Sequence, residues 1–141
     1  MKAKGEAFAK LPRDLLESTA WRSLSIHARR LIDFLLIEHM RHGGRENGRL
    51  IAPRRQLIAF GIHAHFVSAA IEEAELVGLV DCKRGVGRAP NTYGLTWLPR
   101  GDPPAHRWRN HEATAAEVIA IRKSRKTRKR PVLRVVKGKC Q

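Results

Sequence analysis

The chain has 141 residues, of which 28 are Lys or Arg and 13 are Asp or Glu, so that its formal net charge is +15. A hydrophobic fraction of 43% is enough for a folded core and argues against a wholly disordered basic chain. The longest apolar run, residues 34–37, is too short to cross a bilayer, the first ten residues lack a secretory signal, and two cysteines provide no disulfide framework. These features predict a cytoplasmic protein whose partner is a polyanion, with nucleic acid ahead of an anionic membrane surface.

The positive charge is concentrated after residue 98. Residues 1–98 contain 15 Lys or Arg and 10 Asp or Glu, a net charge of +5, whereas residues 99–141 contain 13 and 3, a net charge of +10. The composition changes at the same place, because residues 99–104 are rich in Pro and Gly, as linkers are. We therefore expect a folded domain over residues 1–98, a linker over 99–111 and a basic helical or disordered tail over 112–141.

The first part of the domain is predicted to be helical. Pro12 suits the first turn of a short helix that turns Leu15 and Leu16 towards the core. Ser25 is a good N-cap for a long helix, which two glycines end after about His42. Its apolar residues recur at helical spacing and are Ala28, Leu31, Ile32, Leu35 and either Leu36 or Ile37.

Residues 53–78 are the most informative segment. Pro53 begins a two-turn helix to Phe60, Gly61 and Ile62 form a tight turn, and a second helix follows. This order matches a helix-turn-helix unit. The second helix is expected over residues 63–77, with Val67, Ala70, Ile71 and Ala74 on its buried side and His65, Ser68, Ala69 and Glu72 on its exposed side.

Alternating apolar and polar residues predict a hairpin after the second helix. Its strands contain Val80 and Cys82 on one side and Tyr93, Leu95 and Trp97 on the other, and a Gly-rich loop joins them. Residues 49–52 are a candidate for a further short strand. The predicted fold class is therefore mainly α with a small β-hairpin.

This order of elements resembles winged helix-turn-helix domains of phage and plasmid replication initiators and of small bacterial regulators in mobile elements. The resemblance spans roughly residues 8–98. It is carried by residues 50–57, Gly61-Ile62, Val67, Ala70-Ile71, Gly78-Leu79-Val80 and Tyr93-Gly94-Leu95-Thr96. It implies a DNA-binding protein whose second helix enters the major groove while the hairpin, or wing, touches phosphate or the minor groove.

On this interpretation, the base-reading candidates are His65, Ser68 and Ala69. The candidates for contact with the DNA backbone are Arg54, Arg55, Lys83, Arg84 and Arg88. The chain departs from the family because the second helix has no Arg or Lys in its first turn. Later in this helix come three acidic residues, Glu72, Glu73 and Glu75. They must point away from DNA or pair with Arg54 or Arg55.

The tail adds a second, sequence-independent source of affinity. Residues 114–117 fit a capping box for a helix that runs to about Lys126. Seven of the nine residues from 122 to 130 are basic, a composition that binds phosphates without reading bases. These further backbone candidates are Arg122, Lys123, Arg125, Lys126, Arg128, Lys129 and Arg130. Trp108 either stacks on a base or, as we favour, packs against the domain and holds the linker there.

Neither a metal site nor a catalytic site is predicted. The histidines and Cys82 lack the C-x-x-C and H-E-x-x-H spacings of zinc sites, and no Ser/His/Asp arrangement is evident. We expect a non-enzymatic, nucleoid-associated protein that needs no cofactor. We expect it to bind duplex DNA in transcription control or mobile-element replication. The alternatives are an RNA-binding or ribosome-associated protein, and a protein-interaction module with a nucleic-acid-binding tail. A homodimer is left open.

Overall fold

The computed structural model describes residues 7–100, 104, 106–110 and 120. Its helices are Arg13–Glu17 (α1), Thr19–Arg22 (α2), Ile26–Arg41 (α3), Arg54–Phe60 (α4) and Val67–Leu76 (α5). Its strands are Val80–Lys83 (β1) and Thr92–Leu95 (β2), and short 3-10 turns cover Ala64–Phe66 and Arg107–Asn110. The predicted class, mainly α with a small antiparallel hairpin, is confirmed.

The long helix α3 forms the centre of the fold. Ser25 caps it by accepting a hydrogen bond from the N–H of Ala28, and Gly43 and Gly44 follow its end with φ angles of 64° and 74°. The predicted apolar face is confirmed, and Leu36 rather than Ile37 belongs to it. This face packs against α4, α5 and β2.

The two short helices before α3 cover one side of the core. Leu15 of α1 is fully buried, as expected, but Leu16 is 40% exposed, so its predicted core position is wrong. Adjacent residues lie about 100° apart around a helix, and in this five-residue helix Leu15 faces the core while Leu16 faces outwards. Trp21 of α2 is buried and meets Trp97 edge-on, with the ring centroids 6.1 Å apart.

Helices α4 and α5 are joined by a tight turn. Pro53 precedes α4, and Gly61 follows it with a φ of 119°, a left-handed conformation that favours glycine. The predicted continuous second helix is wrong at its start, because Ala64–Phe66 form a 3-10 turn before α5 begins at Val67. Within α5, Val67, Ala70 and Ala74 are buried, and Ile71 is only half-buried.

The hairpin pairs Val80 with Leu95 and Lys83 with Thr92. In place of the expected strand at residues 49–52, Leu50 alone forms a bridge, to Tyr93. The expected alternation of the second strand also ends early. Thr96 is buried and its Oγ1 donates to the carbonyls of Gly78 and Leu79.

Residues 106–110, within the predicted linker, pack on the domain. Trp108 is 5% exposed and belongs to the main core cluster, which confirms that it holds this segment on the domain. Arg107 pairs with Asp81 of β1, and Arg109 pairs with Asp14 of α1 at 3.1 Å. The core therefore includes residues beyond 98.

Candidate nucleic-acid interface

A cleft of about 490 Å³ opens between α5 and the hairpin loop, defined as residues 84–91. The apolar residues that line it include Ile51, Val67, Ile71 and Tyr93. Its polar lining residues are Arg54, Ser68, Glu72, Arg84 and Asn91. The cleft thus brings the exposed side of α5 together with cationic groups from α4 and the hairpin loop.

The three acidic residues of α5 have different surroundings. Glu73 is 3% exposed, and its Oε2 accepts hydrogen bonds from the N–H and the Oγ of Ser25, so this carboxylate points into the protein. Glu75 lies 3.9 Å from Arg84 of the hairpin loop. Glu72 is exposed and lines the cleft. The acidic half of α5 therefore presents less negative charge to the cleft than the sequence suggests.

The base-reading candidates lie at the beginning of α5 and just before it. Ser68 is exposed and lines the cleft. His65 is exposed but is not among the lining residues, and Ala69 is half-buried. Of the three, Ser68 is the one that lines the same cleft as Arg54 and Arg84.

The candidates for backbone contact are divided between the cleft and the surface around it. Arg54 lines the cleft, and its Nη2 donates to the carbonyl of Ala64 at 2.8 Å, which links α4 to the turn before α5. Arg84 lines the cleft from the hairpin loop. Arg55, Lys83 and Arg88 are exposed and lie outside the lining set. The seven basic candidates from 122 to 130 and the predicted capping box lie outside the described residues.

The shape of the hairpin loop depends on Gly85. A Cβ at this position would overlap the carbonyl of Ala89 and lie 2.7 Å from the carbonyl oxygen of Pro90. The N–H of Gly85 also donates to Oδ1 of Asn91 at 2.9 Å, which closes the loop. Val86 at the tip is 88% exposed. A larger residue at position 85 would therefore require this loop to shift, and the exposed Val86 at its tip lies between Arg84 and Arg88 in the sequence.

Two titratable groups near the cleft remain neutral at neutral pH. Burial raises the pKa of the Tyr93 hydroxyl above its usual range, and nearby Cys82 raises it further. Burial also raises the pKa of the Cys82 thiol. Since the ordinary values of both groups already lie above about 8, this side of the cleft gains no negative charge from them.

Sequence reasoning missed the ring contacts around the start of α5. Phe66 stacks on His27 of α3 at 4.3 Å between ring centroids, and His63 stacks on His65 at 4.9 Å. The spacing of His63 and His65 indicated only that they lie on either side of a helix start. The contact of Phe66 with α3 depends on how α5 packs, which no local signal reveals.

The chain matches no protein-family model, no curated protein and no solved structure at a significant level. Among the described residues, no group of three or more His, Cys, Asp or Glu side chains is arranged to hold a metal ion. No helix in the described ranges has both the length and the apolar character needed to span a membrane.

Proposed function

We propose that this protein binds duplex DNA, without catalysis, in transcription control or in mobile-element replication, and that its domain is a winged helix-turn-helix. In this proposal α4, the turn at Gly61 and α5 are the helix-turn-helix, and the hairpin loop is the wing. The observation that supports it best is the cleft, where Ser68 of α5 shares one concave surface with Arg54 and Arg84.

The two arginines lie where a helix that binds in a DNA groove needs cationic groups, one on each side of it. The major groove accepts an α-helix, and cations on either side of that helix neutralise the phosphates of the groove walls. Arg54 is the first residue of α4 and Arg84 begins the hairpin loop, so the cationic groups come from both neighbours of α5. Ser68 can donate to or accept from either a base edge or a phosphate.

The charge distribution agrees with DNA contact by both the cleft and the tail. Glu73 is turned inwards and Glu75 lies near Arg84, so that the cleft is less acidic than α5 alone. The net charge of +10 on residues 99–141 supplies an attraction to phosphates that does not depend on base sequence. We therefore assign specificity to α5 and most of the non-specific affinity to the tail.

A protein-interaction role is the second candidate. It is favoured by the apolar character of the cleft, whose lining includes Ile51, 44% exposed, and the half-buried Ile71. Apolar residues at the centre of a concave surface are typical of protein interfaces. In that case the tail alone would contact nucleic acid.

Selection of bound duplexes from a random pool by the full chain tests the proposal. We expect an enriched sequence, and we expect Arg54→Ala and Arg84→Ala each to weaken binding to it by roughly tenfold, the loss of one charge-assisted contact. Arg13→Ala is the matched control, because Arg13 is an exposed arginine of α1. Selection that enriches nothing, with all three variants equally affected, would favour the protein-interaction role. Better competition by RNA than by duplex DNA would point to an RNA partner.

A further inference from the structure

The side of α3 that points away from the core has a pattern of its own. Four of its residues follow one another at intervals of four, three and four positions, and these are Ile26, Arg30, Asp33 and Ile37. Because a helix turns by about 100° per residue, the four fall within about 60° of its circumference, opposite the buried Ala28 and Leu35. We call these four residues the outer face of α3.

The outer face has apolar residues at its ends and opposite charges in its middle. Ile26 is 62% exposed, and Ile37 is half-buried but lies outside the main core cluster. Arg30 and Asp33 are both exposed. Single exposed apolar residues are common on protein surfaces, so it is the order of the four residues, and not the exposure of any one of them, that indicates a partner.

This order is complementary to itself. When a second α3 lies antiparallel to the first, aligned midway between Arg30 and Asp33, Ile26 of each copy lies opposite Ile37 of the other. Arg30 of each copy then lies opposite Asp33 of the other. Residues at alternating intervals of three and four positions form the seam between paired helices, and a contact across a two-fold axis joins the same two positions twice. The outer face therefore matches a second copy of this chain both in charge and in apolar contact.

The two charged residues of the outer face differ in the contacts that they make within the chain. Nη1 of Arg30 donates to the carbonyl of Gly61 at 2.6 Å, which uses one of the five N–H donors of a guanidinium. Asp33 forms no hydrogen bond or ion pair within the part of the chain that the structure describes. Partial burial raises the pKa of its carboxyl, and Arg29 acts in the opposite direction. Arg30 of a second copy would give this carboxylate the ion pair that the described residues of its own chain do not supply.

Two exposed aromatic rings border the outer face on the side of α4. Phe60 at the end of α4 meets Phe34 of α3 edge-on, with the ring centroids 5.5 Å apart, and Phe66 stacks on His27 of α3. Both Phe60 and Phe66 remain exposed. Specific protein interfaces bury about 1,200–2,000 Å² in total, which is more than four side chains on each copy can supply. The two rings enlarge the apolar area that a second copy can cover.

We propose that two copies of this chain associate through the outer face of α3, with the two helices antiparallel across a two-fold axis. The apolar ends exclude water, and the two pairs of Arg30 with Asp33 fix the register. None of the four residues lines the cleft between α5 and the hairpin loop, so the dimer leaves both clefts open. Dimer formation therefore does not depend on the proposed function.

Sedimentation equilibrium of the full chain measures the association directly. Nuclease treatment removes nucleic acid that could bridge two chains, and about 0.3 M salt screens the repulsion between two strongly basic molecules. Over protein concentrations from about 1 to 100 μM, we expect the mass to rise towards that of two chains. A mass of one chain at every concentration overturns the proposal.

Reversal of the charges tests the register. Arg30→Glu and Asp33→Lys each place like charges opposite each other twice, and we expect each to weaken self-association by about a hundredfold or more. In an equimolar mixture of the two variants, the altered residue of one chain faces the altered residue of the other with opposite charge, and the second pair is the native one. We therefore expect the mixture to associate. Variants that each associate like the wild type, or a mixture that stays monomeric, contradict the antiparallel pairing.

Two further variants keep the test decisive if loss of the bond to Gly61 unfolds Arg30→Glu. Ile26→Glu changes the exposed first residue of α3, where a carboxylate suits the positive end of a helix, so we expect a folded monomer. Arg13→Glu is the matched charge-reversal control, because Arg13 is an exposed arginine of α1, and it is expected to associate like the wild type. Circular dichroism of each variant ensures that folded proteins are compared.

The outcomes separate this inference from the proposed function. A folded Ile26→Glu that still dimerises places the contact elsewhere and overturns the inference. Dissociation of Arg13→Glu together with the other variants would attribute the association to total charge and also overturn it. A dimer that fails to bind duplex DNA supports the inference and removes only the proposed function, whereas duplex binding by a chain that is monomeric at every concentration removes only the inference.

Discussion

Ser25 and Glu73, 48 positions apart in the sequence, are joined by two hydrogen bonds in the folded protein. The N–H and the Oγ of Ser25 donate to Oε2 of Glu73 at 2.9 and 2.6 Å. The same Oγ accepts from the N–H of Ala28 and so caps α3. One carboxylate thus ties α5 to the start of α3 and is turned away from the cleft by that bond.

Glu73→Ala is expected to lower the free energy of unfolding by about 2 kcal/mol, because it leaves the partly buried N–H of Ser25 without its acceptor. Urea denaturation measures the change. Glu17→Ala is the control, since Glu17 is an exposed partner of Arg13, and a change below about 0.5 kcal/mol is expected there. Equal losses in the two variants would show that the bond to Ser25 contributes nothing.

Gly85→Ala is expected to displace the hairpin loop, since a Cβ at this position overlaps the backbone of Ala89. If the loop is a wing, affinity for a selected duplex falls by roughly tenfold, as for loss of one phosphate contact. Gly87→Asn is the control. Gly87 has a φ of 64° with open space around it, and Asn tolerates that conformation. Unchanged affinity in Gly85→Ala would exclude the loop from the DNA contact.

Removal of the tail after residue 110 is expected to weaken duplex binding similarly on all sequences, by roughly a hundredfold, and to reduce its salt dependence. Fluorescence anisotropy at several salt concentrations measures both effects. The truncation must retain Trp108, which packs in the core, and Arg109, which pairs with Asp14. A loss restricted to one selected sequence would assign base reading to the tail.

Truncation after residue 98 serves as the contrasting variant and is expected to destabilise the domain. It removes the buried Trp108 side chain, and loss of a large buried aromatic residue costs about 3 kcal/mol or more. The thermal midpoint measures the effect. Equal thermal midpoints for the chains ending at 98 and at 110 would show that residues 99–110 add no stability.

Acidification is expected to destabilise the protein through His39. Burial lowers the pKa of His39 in the folded state, so the unfolded chain binds the proton more strongly. This contribution to stability is complete above the unfolded-state pKa of about 6.5 and is lost as the pH falls below it towards the lower pKa of the folded state. His39→Leu is expected to reduce the decline in thermal midpoint on acidification, whereas His42→Gln, at an exposed position, is expected to retain it. An unchanged decline in His39→Leu would assign the effect to other groups, His27 first.

Element boundaries could be predicted where the signals are local. Ser25, Pro53 and Gly61 act within a few residues of themselves, by capping a helix, starting one or adopting a left-handed turn. The assignment of Arg54 and Arg84 to phosphate contacts follows from the predicted order of the elements that contain them, and it stays a prediction. The total charge, its concentration in the tail and the mainly helical class are likewise properties of the chain alone.

The orientation of side chains depended on contacts between distant residues. The pattern of α5 does not reveal that Glu73 accepts from Ser25, nor that Phe66 rests on His27 of another helix. Composition marks residues 99–104 as a linker, yet Trp108 shortly beyond them is buried in the core. These features arise because a side chain is buried, paired or exposed by whatever element the fold brings opposite it, and no short stretch of sequence contains that neighbour. The net charge of +15 is therefore the basis in the sequence for the polyanionic partner that we propose, whereas the inward turn of Glu73 and the common cleft of Arg54 and Arg84 define the face that we propose meets it.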